Sequence, residues 1–240
     1  MSYNSILLHV PHSSLFIPES FGVNISERIR FEILSQSDLY VDDIFNSGVI
    51  LPNISKLVFN HNRFYCDVER YWLDEVEPMS KIGQGVFYTH LSNGSPIDRK
   101  DIKDDIKKIY DEHHLKLNNL SENLVNKYKN CLIVDCHSFN DGKTLPDFCI
   151  GLNDDNTRPN VNFVNNVISF LTKNEYSVDV NNPYIGSIYP SEYKSENLNT
   201  LMIEINKRCY LDNNFKKITS KYNRVKHLLN DLVFHMMNNY

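Results

Sequence analysis

The sequence predicts an α/β fold with a mainly parallel sheet covered by helices on both faces. Three observations carry this. Short apolar runs of strand length recur at residues 5–10, 56–59 continuing to 64–68, 131–136, 147–151 and 201–205. Segments with helical spacing of apolar residues fill most of the intervals between them. No internal repeat and no linker rich in Pro, Gly or Ser divides the chain, so residues 1–240 are expected to form one domain.

Each element has its own signature. The first run, SILLHV, stops at Pro11, and His12 follows. Residues 26–45 carry apolar side chains at helical spacing, with Asn24 or Ser26 available as the N-cap. A longer helix is expected over 98–128, with Ile102, Ile106, Tyr110, Leu117, Leu120 and Leu124 on one face. CLIVDC then runs into His137 and Ser138, and helices are expected at 161–172 and 214–237. Residues 71–98 and 181–199 lack periodicity and are long for plain connections, the length at which loops build sites or lids as often as surface excursions.

Composition narrows the function. With 41% hydrophobic and 23% charged residues the chain can build an ordinary core. A net charge of -5 without Lys/Arg clusters argues against a nucleic-acid partner. The apolar runs are too short to span a bilayer, and the N-terminus has no export pattern, so a cytoplasmic location is expected. Cys66, Cys131, Cys136, Cys149 and Cys209 are odd in number, form no CxxC pair and sit in or beside apolar runs, as buried reduced thiols do. A bound metal would therefore rest on His and carboxylates.

His12 and His137 each follow an apolar run. Ligands of open parallel sheets bind beyond the carboxyl ends of the strands, so both imidazoles are expected at one crevice. Two His and a carboxylate form the usual ligand set of catalytic zinc. For the carboxylate, Asp38 in SQSDLYVDD competes with Asp42 and Asp43, and spacing alone does not choose among them. Glu204 interrupts LMIEIN, where a lone buried charge is expensive unless it is paired or catalytic; the bland alternative is an edge strand facing water. As a general base it would take the proton of the attacking water and pass it to the leaving amine. Arg63 and Arg70 in NRFYCDVER suit a substrate carboxylate, with Asp67 a partner for one of them; an ordinary ion pair is the competing reading. His9 is read as a strand residue packed near the site, His113 as core, and His114 as a donor supporting the ligands. His61, His90, His227 and His235 are read as structural.

The ordered fragments VPHSSLFIP, SDLYVDDIF, NRFYCDVER, GQGVFYT, IVDCHSF, LPDFCIGL and LMIEINKRCY resemble the N-formylglutamate amidohydrolase family over about residues 7–211. That family is distantly related to zinc carboxypeptidases. The resemblance implies a phosphorylase/hydrolase-like three-layer α/β/α sandwich around a mixed, mostly parallel sheet. It implies one Zn²⁺, or another divalent ion, on His12, Asp38 and His137, which breaks the tie in favour of Asp38. It makes Glu204 the catalytic base. It gives Arg63, Arg70, Ser13 and Ser138 to the substrate, and Asp67, His114 and Asp135 to the shell behind the ligands. Three departures stand out: Ser14 replaces a Gly, Glu69 replaces the Asn of D-L-N-R, and Tyr184–Ile188 replaces a glycine-pair segment.

The implied activity is hydrolysis of an N-acyl amino acid, with N-formyl-L-glutamate giving formate and glutamate. Glu69 and the Tyr184–Ile188 segment leave open another N-acyl amino acid or a peptide-like amide. A hydrolase-like fold retired to binding is the reading from outside enzymology, but it predicts a damaged ligand set. Ser13 or Ser138 as an esterase nucleophile is disfavoured, because neither stands in a G-x-S-x-G elbow.

Overall fold

The computed structural model describes residues 3–19, 25–46, 51–98, 102–140 and 144–238. Its frame is a six-stranded sheet: β1 (Ile6–Val10), β2 (Ile54–Val58), β3 (Cys131–Phe139), β4 (Phe148–Gly151), β5 (Val178–Val180) and β6 (Leu198–Asn206). The strand order is β2-β1-β3-β6-β4-β5. The first four strands in that order run parallel, and β4 turns antiparallel against β6. The sheet is therefore mixed, as expected, and helices flank it.

The helices are α1 (Glu27–Gln36), α2 (Val41–Ile44), α3 (Lys103–Tyr128), α4 (Val161–Lys173) and α5 (Thr219–Asn238). On one face of the sheet Leu8, Val134 and Ile203 pack with residues of α2, α4 and α5, such as Val41, Val167 and Leu229. On the other, Leu7, Cys131, Ile133 and Leu198 pack against Leu117, Leu124 and Val125 of α3. Side chains alternate along a strand, so the α3-facing set continues to His9 in β1, to Asp135 and His137 in β3 and to Glu204 in β6. That face is apolar where the strands begin and polar at their carboxyl ends. The crevice lies there.

Two expected elements differ. The helix foreseen over 26–45 is broken into α1 and α2. Ser26 caps α1, accepting from the Ile29 amide, while Asn24 lies outside the described residues. After α1 the Asp38 amide donates to the His12 carbonyl (2.9 Å), and Tyr40 takes φ +65°. Attaching this turn to the end of β1 is incompatible with one continuous helix. Nor do residues 64–68 extend β2. The Asn62 side chain accepts from the Phe64 amide (3.0 Å) and donates to Ser14 and Ser37, and its carbonyl accepts from the Tyr65 and Cys66 amides, which folds a turn. Tyr65, Cys66 and Val68 are apolar because they pack with Val86 and Ile106. The three-residue β5 was too short and polar to register in the sequence. Among the described residues no helix is long and apolar enough to cross a membrane.

Candidate active site

His12 stands just beyond β1, and its Nε2–H donates to Asp67 Oδ1 at 2.8 Å. That bond fixes the tautomer and leaves Nδ1 with a free lone pair. His137, near the end of β3, does the same in mirror fashion: its Nδ1–H donates to Asp38 Oδ2 at 3.0 Å, and Nε2 is left over. Both free nitrogens are buried without a hydrogen-bond partner. Three carboxylates approach them: Asp135 Oδ1 lies 3.1 Å from His137 Nε2, Asp38 Oδ2 lies 3.7 Å from His12 Nδ1, and Glu69 reaches both. Glu69 Oε2 lies 3.2 Å from His137 Nε2 and 3.7 Å from His12 Nδ1.

His12, Glu69 and His137 form a group able to hold a metal ion. Ligand atoms roughly 2.0–2.1 Å from a tetrahedral ion lie about 3.3–3.4 Å apart, close to the two separations found here. Burial alone would lower the His137 pKa, but the Glu69 and Asp135 carboxylates hold it well above its usual value. The position between these groups thus attracts positive charge. The donor atoms, their burial and their charge all fit a divalent cation.

Asp38 was expected to be the third ligand and is placed differently. Its Oδ2 lies 3.7 Å from His12 Nδ1, but it is already engaged by His137 Nδ1–H, and its Oδ1 accepts from Ser138 Oγ at 3.2 Å. Asp38 thus backs the His137 ring while its Oδ2 stays as near to His12 Nδ1 as Glu69 Oε2 does. Ser138 donates to Asp38 and lines the cavity. Ser13 is half-buried and does not line the cavity.

Asp67 gathers several groups. Oδ2 accepts from Arg63 Nη2 (2.8 Å), Arg63 Nε (3.2 Å) and the Tyr88 hydroxyl (3.1 Å), and Oδ1 accepts from the Glu69 amide (3.1 Å). Burial would raise its pKa, yet Arg63, His12 and Arg70 together hold it well below the carboxylate range. Arg63 is largely consumed by these bonds. Arg70 is freer, because its Nε is buried without a hydrogen-bond partner and lies 3.7 Å from Asp67.

Asp135 Oδ1 accepts from His9 Nδ1–H at 2.8 Å, and Oδ2 accepts from the Ile188 amide at 3.0 Å. Residues 181–199 are thereby tied to the site. His9 Nε2 lies 2.9 Å from His113 Nε2, and burial pushes the His113 pKa down to about 2, so His113 is neutral. His114 Nε2 donates to the Val68 carbonyl beside Glu69 (2.9 Å).

Glu204 stands beside His137 in the β3–β6 register. It is 7% exposed, its Oε2 has no hydrogen-bond partner, and β6 is an interior strand, so the edge-strand reading fails. Burial above all pushes its pKa up to about 8. A carboxyl group there exchanges a proton near neutrality. His12, Glu69, Arg70, His137 and Glu204 all line one cavity of about 1710 Å³. Sequence reasoning singled out Glu69 as a departure bearing on substrate and not as a ligand, and gave Tyr88 no role. Glu69 had a signal in an acid wedged between Asp67 and Arg70; Tyr88 lay in an aperiodic stretch and was marked only by the fragment GQGVFYT.

A family model described as N-formylglutamate amidohydrolase matches residues 4–211. The fold is similar to the crystal structure of N-formylglutamate amidohydrolase from Ralstonia eutropha, with a TM-score of 0.84 at 21% identity, covering 99% of this chain and 94% of that one. It is also similar to a gene product of Agrobacterium tumefaciens, with a TM-score of 0.66 at 16% identity, covering 98% of this chain and 91% of that one. No curated protein sequence matches the chain.

Proposed function

The chain belongs to the N-formylglutamate amidohydrolase family, and on that premise we propose that it cleaves the amide bond of an N-acyl amino acid, N-formyl-L-glutamate foremost, with a divalent ion held by His12, Glu69 and His137. One observation carries the metal dependence: two buried imidazole nitrogens without hydrogen-bond partners converge on the Glu69 carboxylate, while their opposite nitrogens are bonded to Asp67 and Asp38. A set of two His and one Glu favours zinc. When bound, such an ion supplies Lewis acidity toward the acyl carbonyl and toward water.

The chain's own residues do the rest. The Glu204 carboxylate takes a proton from the attacking water as the C–O bond forms, then gives it to the departing amine as the C–N bond breaks. Arg70, with Arg63 behind it, holds the substrate carboxylate. Asp38 and Asp67 keep both imidazoles in the tautomer that offers a lone pair. The five buried cysteines, none of them in a disulfide, suit a reducing cytoplasm, where the partner is a small molecule.

Metal-stripped protein should lose hydrolysis of N-formyl-L-glutamate, and Zn²⁺ should restore it. Elemental analysis should find about one ion per chain. Glu69→Gln should retain far less metal than Asp38→Asn, whose expected loss of metal affinity is about 10- to 100-fold. Equal metal content in both variants would return Asp38 to the ligand set. A panel of N-formyl, N-acetyl and N-succinyl amino acids fixes the acyl group.

A further inference from the structure

Beyond the ligand cluster, the C-terminal end of α1 carries an unusual load. Helix α1 ends at Gln36, so the carbonyls of Ser35 and Gln36 are among those its own backbone leaves unbonded. Three donors from distant parts of the chain collect on them. Lys207 Nζ donates to Ser35 O at 2.7 Å, Asn140 Nδ2 to the same oxygen at 2.6 Å, and Arg63 Nη1 to Gln36 O at 3.4 Å. Lys207 follows β6 in the 3₁₀ turn Lys207–Cys209, Asn140 follows β3, and Arg63 belongs to the turn after β2. All three line the cavity that holds Glu204.

Lys207 is the informative member. It is 5% exposed, its ammonium bonds the Ser35 carbonyl, and the Asp38 and Glu204 carboxylates act on it only beyond ion-pair distance. An ammonium has three N–H donors, and a single carbonyl engages one. Keeping a cation out of water with no counter-ion in contact is costly. A helix C-terminus offers partial compensation, but only a partial charge. Arg63 is already occupied by Asp67 and Tyr88, which leaves Lys207 as the cation of this corner with spare donors.

We propose that Lys207 and Asn140 form a second anion subsite, distinct from Arg70, which takes the side-chain carboxylate of a dicarboxylic N-acyl amino acid. The inference rests on the reaction proposed above for the substrate's first carboxylate and its amide, and it adds the reason for preferring glutamate over a neutral residue. The α1 carbonyls hold the two donors in place while their remaining N–H groups serve the ligand. A substrate whose side chain ends in a neutral amide offers the same shape without the charge.

Calorimetric titration of the purified protein with L-glutamate and with L-glutamine reads the subsite without any turnover. Glutamate should bind more tightly, and Lys207→Met should shrink that preference by about 10- to 100-fold, the worth of a hydrogen bond to a charged group. Should Lys207→Met fail to fold, Asn140→Asp, at an exposed position, sets a like charge against the carboxylate and should shrink the preference in the same direction. A wild-type protein that binds both amino acids equally, or variants that weaken both equally, would overturn the proposal. Absence of turnover on every N-formyl amino acid, with the glutamate preference and its loss in the variants intact, would instead remove the reaction and leave the subsite standing.

Discussion

Glu204 is held at a protonation boundary by where it sits. Its neighbours on β6, Ile203 and Ile205, are fully buried in the opposite face, and Cys149 of β4 flanks it across the antiparallel pair. Desolvation favours the neutral acid, while His137 pulls the other way. The amide isostere keeps the volume and removes the proton acceptor. Glu204→Gln should lower kcat by about 10²- to 10⁴-fold, the usual worth of a positioned base, with metal content and melting temperature close to wild type. A variant that keeps more than a tenth of the wild-type kcat would assign the proton transfer to another group.

At the scale of elements, α3 is the floor of the cavity as well as a layer of the sandwich. Leu117 is fully buried among Leu7, Ile133 and Leu198, while on the same helix His113 meets His9, His114 meets Val68, and Asn118 Oδ1 accepts from the Glu192 and Tyr193 amides (3.1 and 3.2 Å). Packing and site geometry are therefore set by one rigid body. Leu117→Ala should cost about 2–5 kcal/mol, the range for a large buried aliphatic reduced to methyl. Denaturant unfolding checks it, and a cost under 1 kcal/mol would mean that the α3 layer closes over the vacancy.

At the scale of the molecule, the antiparallel end of the sheet is fastened by Asp147, just ahead of β4. Its Oδ2 accepts from the Ser177 amide (3.0 Å) and hydroxyl (2.9 Å), and its Oδ1 from Arg208 Nη2 (3.0 Å). Burial would raise the Asp147 pKa, but the bonds from Ser177, Cys209 and Arg208 outweigh it and the net shift is downward. A folded pKa below the unfolded value of about 3.9 gives stability that is complete above that pH and lost as pH falls through the folded value. Asp147→Asn should therefore unfold more easily at neutral pH and show a flatter acid limb below about pH 4. Melting curves against pH test this, and parallel acid limbs for the two proteins would remove Asp147 as the fastening.

The sequence by itself determined the α/β architecture, the five longer strands, the two strand-end imidazoles and the suspicion that fell on Glu204. These are local signals, namely periodicity, a Pro that stops a run, and a charge inside an apolar stretch. It also gave a family resemblance, which the match over residues 4–211 bears out. Tertiary structure alone decided which carboxylate faces which nitrogen. Asp38, Glu69 and Asp135 are all acids close to the His12–His137 pair; in the fold Asp38 bonds His137 Nδ1, while Glu69 and Asp135 approach Nε2. The burial of residues 64–68 likewise told of packing against α3 and not of strand pairing, because an apolar run records that a segment leaves water without recording what it meets there.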